Sequence, residues 1–392
     1  MAIPQGYKAT ALGIIPQEWK TVRLRDCFYI SAGGDVQKDY FSETPSRQYK
    51  YPIYSNSLFN HGLYGFTSHP RHKANSITIT GRGALGHAEY RATDFDAIVR
   101  LLVLAPKKPL NGQYITEYIN FRKPFFYEST GVPQLTAPQI ANIQVLFPPL
   151  EEQRKIAEVL GVWDEAIEKQ TQLIEKLALR KRGLMQRLLS AKLRLPGFSE
   201  SWQKVKFCEL FTKSIKTADP LTKYEVLSVT KEGIVAQKSY FNKDIASEDT
   251  SKYIVVERGD LAMSGLNFWM GSCHILTNFN EGIISPAYKV FKVTEHNNIN
   301  FIRDFVRSSM FLQALQGCSV IGASIVRRNL DKEMLYEWTF KIPSLKEQTA
   351  IAKVLTAADR EIELAKEKLE RLRRQKRGLM QQLLTGKKRV KY

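Results

Sequence analysis

Residues 80–86 carry a glycine spacing that could hold a phosphate group. They read TGRGALG, which fits the G-x-G-x-x-G pattern of dinucleotide-binding turns. That site needs a helix N-terminus directly after the turn, whereas the HAEYRATDF that follows is not amphipathic. The pattern therefore favours a tight turn that carries Arg82 outward, where a guanidinium can grip a phosphate or contact guanine O6 and N7.

A second turn-like stretch, residues 263–271, reads MSGLNFWMG and offers Asn267 and Trp269. Two further stretches, 129–136 (STGVPQLT) and 322–330 (GASIVRRNL), add polar side chains and arginines. These side chains could contact base edges, while Arg327 and Arg328 could equally clamp phosphates without reading sequence, and an ordinary loop or core role is the alternative for each residue. The candidate DNA-binding residues are Arg71, Lys73, Arg82, Thr130, Gln134, Lys231, Asn267, Trp269, Arg327, Arg328 and Asn329.

Catalytic and metal-binding motifs are missing from the sequence. It contains no Walker loop, no G-x-S-x-G and no H-E-x-x-H, and FPPL at 147–150 lacks the Asn of amino-methylating enzymes. His69 and His72 lie three residues apart, but Pro70 opposes a helix there, so HPRHK is interpreted as a basic loop. The four cysteines are scattered, as in reduced cytosolic proteins. We therefore predict a non-catalytic chain without a metal or cofactor of its own.

The composition indicates a polyanionic partner. The formal net charge is +19, and 43% of the 392 residues are hydrophobic, which is normal for a globular protein. Nucleic acid is the leading candidate, ahead of a membrane, because the longest apolar runs are too short to span a bilayer. The first residues lack the pattern of a signal peptide, so a cytoplasmic location is expected.

One segment of the chain occurs twice at an offset of 195 residues. KRGLMQRLLS at 181–190 matches KRGLMQQLLT at 376–385, and the match extends upstream from PPLEEQRKIAEVL at 148–160 to PSLKEQTAIAKVL at 343–355. At another offset, EWKTVRLRDCF (18–28) resembles SWQKVKFCELF (201–211). The chain therefore consists of two tandem halves, each a variable block followed by a long repeated element, and a pseudo-twofold molecule is expected.

The repeated element has the pattern of a long helix with a heptad seam. No proline interrupts it from 151 to 195, and two helices of about 57 Å in one chain would most simply pack antiparallel. Lys181 and Lys376 occupy the same seam layer, where they could fix the register or could reach toward solvent. The predicted seam and subunit-docking residues are Ile156, Leu160, Trp163, Ile167, Ile174, Leu177, Leu184, Ile351, Leu355, Ile362, Leu369, Leu372 and Leu379.

The variable blocks, 21–146 and 203–340, have mixed α/β character. Strand-like runs include SITIT (76–80) and IVRLLVLA (98–105). The predicted fold is two globular α/β domains in pseudo-twofold arrangement, separated by two antiparallel coiled-coil helices. The predicted segments are an N-terminal arm and first domain (1–146), a long helix (147–192), a linker and second domain (193–340), and a second long helix with a basic tail (341–392).

Taken together, these segments resemble the specificity (S) subunits of type I restriction–modification enzymes. The resemblance covers essentially the whole chain. It rests on GIIPQEW before the first block, on the paired helix starts, on both KRGLM endings and on LRLPGFSESW before the second block. It implies that the blocks are target recognition domains, each reading one half of a split, asymmetric DNA sequence. The contact residues within the blocks cannot be transferred from the family, because the block interiors diverge.

The resemblance also implies partners. The repeated helices would set the gap between half-sites and bind two modification subunits, which use S-adenosylmethionine to methylate adenine; motor–nuclease subunits would join for restriction. Two alternatives remain open on the residues alone. One is a coiled-coil scaffold that binds protein without sequence-specific DNA binding, and the other is a self-contained modification enzyme.

Overall fold

The computed structural model describes residues 3–123, 133–219, 222–241, 250–321 and 328–391. The chain forms two compact units. Unit 1 comprises Met1–Thr171 and Glu367–Tyr392, and unit 2 comprises Gln172–Lys366. The first of two long helices therefore begins in unit 1 and ends in unit 2, while the second begins in unit 2 and ends in unit 1.

Unit 1 is built from short strands, short helices and part of each long helix. Its strands are β1 (Tyr7–Thr10), β2 (Gly13–Pro16), β3 (Lys20–Arg23), β4 (Phe28–Ala32), β5 (Phe41–Ser42), β6 (Tyr51–Tyr54), β7 (Leu63–Thr67), β8 (Ser76–Ile79), β9 (Ala88–Arg91), β10 (Asp96–Ala97), β11 (Leu102–Pro106) and β12 (Gln144–Phe147). Its helices are α1 (Leu24–Cys27), α2 (Gly112–Arg122), α3 (Ala137–Ala141), the first part of α4 (Leu150–Leu188) and the last part of α10 (Leu345–Leu383).

The central sheet of unit 1 has the strand order β4-β11-β8-β9 and is antiparallel throughout. All four residues of β8 are buried, and α2 packs against β8 and β9. Phe28, Ile77 and Tyr114 lie in the core that results. A second sheet, β10-β6-β7-β5, includes the parallel pair β10–β6. The pair β3–β12 places the end of the variable block beside its beginning, directly before α4.

Unit 2 uses the same kinds of element. Its strands are β13 (Gln203–Lys206), β14 (Phe211–Lys213), β15 (Leu227–Val229), β16 (Ile234–Ala236), β17 (Ile254–Glu257), β18 (Leu261–Met263), β19 (Cys273–Ile275), β20 (Glu281–Ile284), β21 (Lys289–Val293), β22 (Ser319–Ile321), β23 (Arg328–Leu330) and β24 (Thr339–Ile342). Its helices are α5 (Phe207–Leu210), α6 (Gln237–Tyr240), α7 (Ile299–Phe305), α8 (Ser309–Gly317), α9 (Lys332–Glu337), the last part of α4 and the first part of α10 (Leu345–Leu383).

The central sheet of unit 2 repeats the topology of the sheet in unit 1. Its order is β14-β21-β18-β19, again antiparallel throughout. The pair β13–β24 corresponds to β3–β12 and stands directly before α10. An aromatic cluster that includes Phe207, Phe305, Phe311 and Phe340 fills the core. The two variable blocks therefore share the topology of their central sheet although their sequences have little in common.

The helices α4 and α10 each contain 39 residues, which corresponds to a length of about 58 Å. Two residues separate each helix from the β-strand before it, Pro148-Pro149 before α4 and Pro343-Ser344 before α10, and prolines are common where a helix starts. The predicted seam positions are all buried or half-buried along both helices. The seven-residue pattern of burial is the pattern expected of helices that pack on each other.

Within each unit the two long helices run antiparallel. In unit 1, ion pairs join Asp164 to Lys376 and Glu152 to Arg389, so the numbering rises along α4 as it falls along α10 and its extension. Unit 2 shows the same order in its ion pairs between the two helices and the segments that flank them. The prediction of an α/β fold with two antiparallel helices is confirmed.

One strand differs from its prediction. The sequence predicts an extended run over 98–105, whereas β11 begins only at Leu102. Val99 and Arg100 have φ angles of 54° and 58°. These left-handed conformations cannot continue a strand and are unusual for a β-branched residue such as valine. Among the described residues, no helix is long and apolar enough to cross a membrane.

Candidate nucleic-acid interface

The turn at residues 80–86 links β8 to β9, so the interpretation of this segment as a tight turn is confirmed. Gly83 and Gly86 adopt φ angles of +67° and +77°, which favour glycine. Arg82 is exposed, and its Nε and Nη2 donate to Oε1 of Gln134 at 3.3 and 3.2 Å. The structure thus brings together two of the predicted contacts, which are far apart in the sequence.

Asn56, which the sequence analysis missed, connects this turn to two other loops. Its Nδ2 donates to the carbonyl oxygen of Val99 at 2.6 Å, and its Oδ1 accepts from the backbone N–H of Gly81 at 2.8 Å. One side chain therefore joins the loops at 55–62, 80–86 and 98–101. The stretch SNSLFNHG indicates a turn, but nothing in the sequence indicates which loops Asn56 would join.

The loop at 55–62 presents an apolar tip to solvent. Leu58 is 53% exposed and Phe59 is 86% exposed. The base of the loop is closed by a hydrogen bond from Ser55 N to Gly62 O at 2.8 Å, and Arg91 Nη2 donates to His61 O at 3.0 Å. Exposed aromatic side chains can stack on bases, so Phe59 joins the candidate contacts of unit 1.

Arg71 and Lys73 occupy the basic loop HPRHK, and acidic partners hold both. Arg71 donates from Nε and Nη2 to the carboxylate of Asp96 at 2.6 and 2.8 Å, and its side chain is 35% exposed. Lys73 pairs with Asp94 at 3.1 Å but is 86% exposed. A DNA contact by Arg71 would compete with its ion pair, whereas Lys73 is free to turn toward a phosphate. Both contacts stay predictions.

His72 packs against the core of this loop. Its ring stacks on Phe95 with centroids 5.3 Å apart, and burial lowers the pKa of the imidazole. Among the described residues, no group of His, Cys, Asp and Glu is arranged to hold a metal ion.

The equivalent turn of unit 2, residues 264–272, links β18 to β19. Asn267 is exposed there, and Trp269 is half-buried beneath the guanidinium of Arg328, 4.3 Å from the ring centroid. Arg328 Nη1 also donates to Oγ of Ser319 at 3.0 Å. The expectation that 263–271 forms the counterpart of the first turn is confirmed, and cation–π stacking brings Trp269 and Arg328 together.

The remaining candidates of the second half fall in different places. Lys231 is exposed between β15 and β16, and Asn329 is exposed on β23. Thr130 and Arg327 lie outside the described residues.

Each variable block is fixed to the long helices by a buried glutamate. In unit 1, Glu152 is fully buried and accepts from Trp19 Nε1 at 2.9 Å and from Arg389 Nε and Nη2 at 2.6 and 2.9 Å. A bidentate arginine and an indole satisfy a buried carboxylate that would otherwise be costly. The residues just beyond α10 are therefore held against the start of α4.

Unit 2 repeats this arrangement with equivalent residues. Glu347 accepts from Trp202 Nε1 at 3.1 Å and from Arg194 Nε and Nη2 at 2.6 and 2.9 Å. Arg194 precedes Arg389 by the same 195 residues that separate Glu152 from Glu347. The sequence repeat includes both glutamates, and the tryptophans match at the second offset. The arginines lie four residues beyond the repeated decapeptides, outside the aligned segment.

The seam lysines are also fixed by paired contacts. In unit 1, Lys376 Nζ lies 2.6 Å from Asp164 Oδ1 and 2.9 Å from Glu117 Oε2 of α2. In unit 2, Lys181 Nζ lies 2.5 Å from Asp359 Oδ1 and 3.8 Å from Asp304 Oδ1 of α7. The lysine side chains are only 13% and 10% exposed. These contacts exclude the interpretation that the lysines reach toward solvent, and they support a role in fixing the helix register.

In the ion pair of unit 1, the pKa of the Glu117 carboxyl is raised above its ordinary value. Burial raises the pKa of Glu117 to about 7, with the carboxylate of Asp164 adding to the effect and the ammonium of Lys376 opposing it. When two carboxylates share one cation, the buried one, here Glu117, favours its protonated form.

Comparison with known proteins decides the family. Residues 16–178 and 199–374 match the model described as the type I restriction modification DNA specificity domain. The chain belongs to this family. It is the DNA specificity subunit of a type I restriction–modification system, and such a subunit is itself non-catalytic.

Individual relatives agree with this assignment. The specificity subunit is 23% identical over 440 residues to a Methanocaldococcus jannaschii chain assigned as the specificity subunit of the type I enzyme MjaX, covering 99% of this chain and 97% of that one. It is 32% identical over 145 residues to a Mycoplasma pneumoniae chain assigned as the type I specificity subunit S.MpnORF507P; these residues are 37% of this chain and 39% of the relative. The crystal structure of a type I S subunit from M. genitalium has the same fold, with a TM-score of 0.57, 14% identity and 98% of both chains covered.

Proposed function

We propose that this specificity subunit reads a bipartite, asymmetric DNA sequence, with one half read by each unit. One observation carries the proposal: both units have the same central sheet and the same turn, but the side chains on the two turns differ. Arg82 and Gln134 stand at the turn of unit 1, while Asn267, Trp269 and Arg328 stand at the turn of unit 2. The same sheet and turn position both sets of side chains. Because the two sets carry different hydrogen-bond donors and acceptors, they select different bases.

The long helices are proposed to set the gap between the half-sites. Each contributes residues to both units, and each has a length of about 58 Å. One turn of B-DNA measures about 34–36 Å, so a rigid spacer of this kind can serve half-sites about a turn apart. We accordingly keep the four predicted segments (1–146, 147–192, 193–340 and 341–392) as the functional division: reader, spacer, reader, spacer.

The chemistry is proposed to come from partner subunits in the cytoplasm. Two modification subunits would dock on the two copies of the repeated helix and methylate adenine with S-adenosylmethionine, and motor–nuclease subunits would add restriction. The repeat supports this stoichiometry, because one chain that offers the same helical surface twice can bind two copies of one protein.

The test is a methylome of cells that produce this chain with its cognate modification subunit, compared with cells that produce the modification subunit alone. A split, adenine-methylated motif that appears only with both proteins is the expected result. If a stable complex forms but no new motif appears, the chain is a protein-binding scaffold and the proposal fails.

A further inference from the structure

Unit 2 contains a pocket of about 200 Å³ beside the repeated decapeptide. One wall is the end of α4 and the residues just after it, with Arg182, Met185 and Leu189. The other wall is the start of α8, with Arg307 and Met310. The pocket is open to solvent, and its lining is more apolar than polar.

The pocket has apolar side chains at its bottom, here called the floor, and two arginines without acidic partners among the described residues at its edge, here called the rim. Met185, Leu189 and Met310 supply the apolar contacts, while Arg182 and Arg307 form no ion pair within the part of the chain that the structure describes. The N-terminus of α8, capped by Ser308, adds the positive end of a helix dipole. Such a site is complementary to an apolar side chain with a carboxylate next to it.

A comparison of the two copies of the repeated helix identifies lining residues that recur although folding of the unit does not require them. Arg182, Met185, Gln186 and Leu189 recur as Arg377, Met380, Gln381 and Leu384, 195 residues later. Arg182 and Gln186 are exposed, so packing within the unit does not require them. The exposed arginines at 180 and 187 on the same helix are not kept, because glutamine stands at 375 and 382.

A glycine in the same turn points to a close neighbour. Gly183 and Gly378 lie inside α4 and α10, where glycine is the least favourable residue after proline. A Cβ atom at either position would meet nothing within 4 Å. Internal packing therefore does not require glycine there, whereas a partner backbone lying against this turn would require it.

We propose that this pocket receives a short partner segment in which an apolar side chain lies next to an aspartate, a glutamate or a C-terminal carboxylate, and that the repeated α10 side chains Arg377, Met380 and Gln381 contact a second copy of that segment. This inference rests on the proposed function, since the two segments come from the two modification subunits. The apolar floor and the open glycines favour a protein segment over a DNA phosphate, which would need neither.

The experiment uses the whole complex and native mass spectrometry. Arg182→Glu should reduce the number of bound modification subunits from two to one, and the double variant Arg182→Glu/Arg377→Glu should bind none. Arg187→Glu is the matched control, because it makes the same charge change on an exposed, non-repeated arginine one and a half turns away; it should still bind two. Arg182→Lys should retain most of the binding.

A second variant separates docking from folding. Gly183→Leu places a better helix former in open space, so the thermal stability of the free subunit should rise while the modification subunit is lost from this site. A stability gain together with a docking loss cannot result from misfolding.

Each other outcome overturns the inference. If Arg182→Glu and Arg187→Glu both keep two modification subunits, or weaken binding equally, the pocket is not the docking site although the proposed function stands. If Arg182→Glu keeps both subunits and instead weakens DNA binding at least tenfold, the rim binds phosphate. If the unaltered chain binds no modification subunit, the proposed function itself fails.

Discussion

Asn56 shows how one side chain can organise a reading surface. Its amide satisfies an N–H of one loop and a C=O of another, and both groups lie in segments without regular secondary structure. The segment at 98–101 is also strained, because Val99 and Arg100 are both left-handed. Strained backbone persists where the surroundings hold it, and it is common at functional sites. The three loops therefore depend on Asn56 for their shape.

Asn56→Ala should weaken recognition of the half-site read by unit 1 and leave the other half unchanged. The variant leaves two backbone groups without their partner, at a cost of roughly 1–3 kcal/mol. Fluorescence anisotropy with the intact site, and with either half scrambled, measures the effect. Asn142→Ala, at an exposed asparagine elsewhere in unit 1, is the control. Equal losses of affinity for both halves would contradict this role.

Glu117 makes the stability of unit 1 depend on pH. Its pKa is raised to about 7 in the folded chain from an ordinary value of 4.5, so folding favours the protonated form. The resulting stabilisation is complete below pH 4.5 and is lost as the pH rises through about 7. The free energy of unfolding should therefore fall between pH 5 and pH 8, as measured by urea denaturation.

The matched variants for this test are Glu117→Gln and Glu158→Gln. The first removes the titrating group and should flatten the pH dependence. The second removes one negative charge at an exposed position of α4 and should leave the slope as it is. An unchanged slope in Glu117→Gln would show that another group controls the titration.

Helices and turns that depend on a local sequence pattern can be predicted from the sequence. The heptad rhythm and the absence of proline predict α4 and α10, and the glycines predict the turn at 80–86, because these signals act over a few residues. The irregular segment at 98–101 and the partners of Asn56 are different, since they depend on contacts between loops far apart in the chain. Arg194 and Arg389 lie beyond the repeated decapeptides, and their role depends on the burial of Glu347 and Glu152 beside them, which no local pattern indicates.

The spacer role of the helices predicts a change of gap on insertion. Position 175 of α4 lies level with position 365 of α10, as extrapolated from the pairs Asp164–Lys376 and Lys181–Asp359. Four residues added to each helix there would lengthen both by about 6 Å. The methylated motif should keep both half-sites and gain one to two base pairs of gap, at about 3.4 Å per base pair. A change in either half-site would show that the helices do more than space the readers.

At the scale of the whole molecule, each unit attaches its block to the helices in the same way. A tryptophan and an arginine donate to a buried glutamate, a seam lysine contacts an acidic side chain of the block (Glu117 or Asp304), and the backbone N–H of a helix-capping asparagine donates to a glutamine. The last contact joins Asn111 to Gln153 at 3.0 Å and Asn298 to Gln348 at 2.9 Å. Because these attachment residues recur while the turns differ, the blocks should be exchangeable.

A chain in which residues 20–147 replace residues 203–342 tests this. The replacement runs from the start of β3 to the end of β12 and fits between Trp202 and Pro343, and it supplies Asn111 and Glu117 in place of Asn298 and Asp304. With two copies of one reader on antiparallel helices, the methylated motif should become a palindrome built from the first half-site. The reciprocal replacement should produce a palindrome of the second half-site. If either chimera folds and binds its modification subunits but keeps the original asymmetric motif, sequence reading does not reside in the blocks.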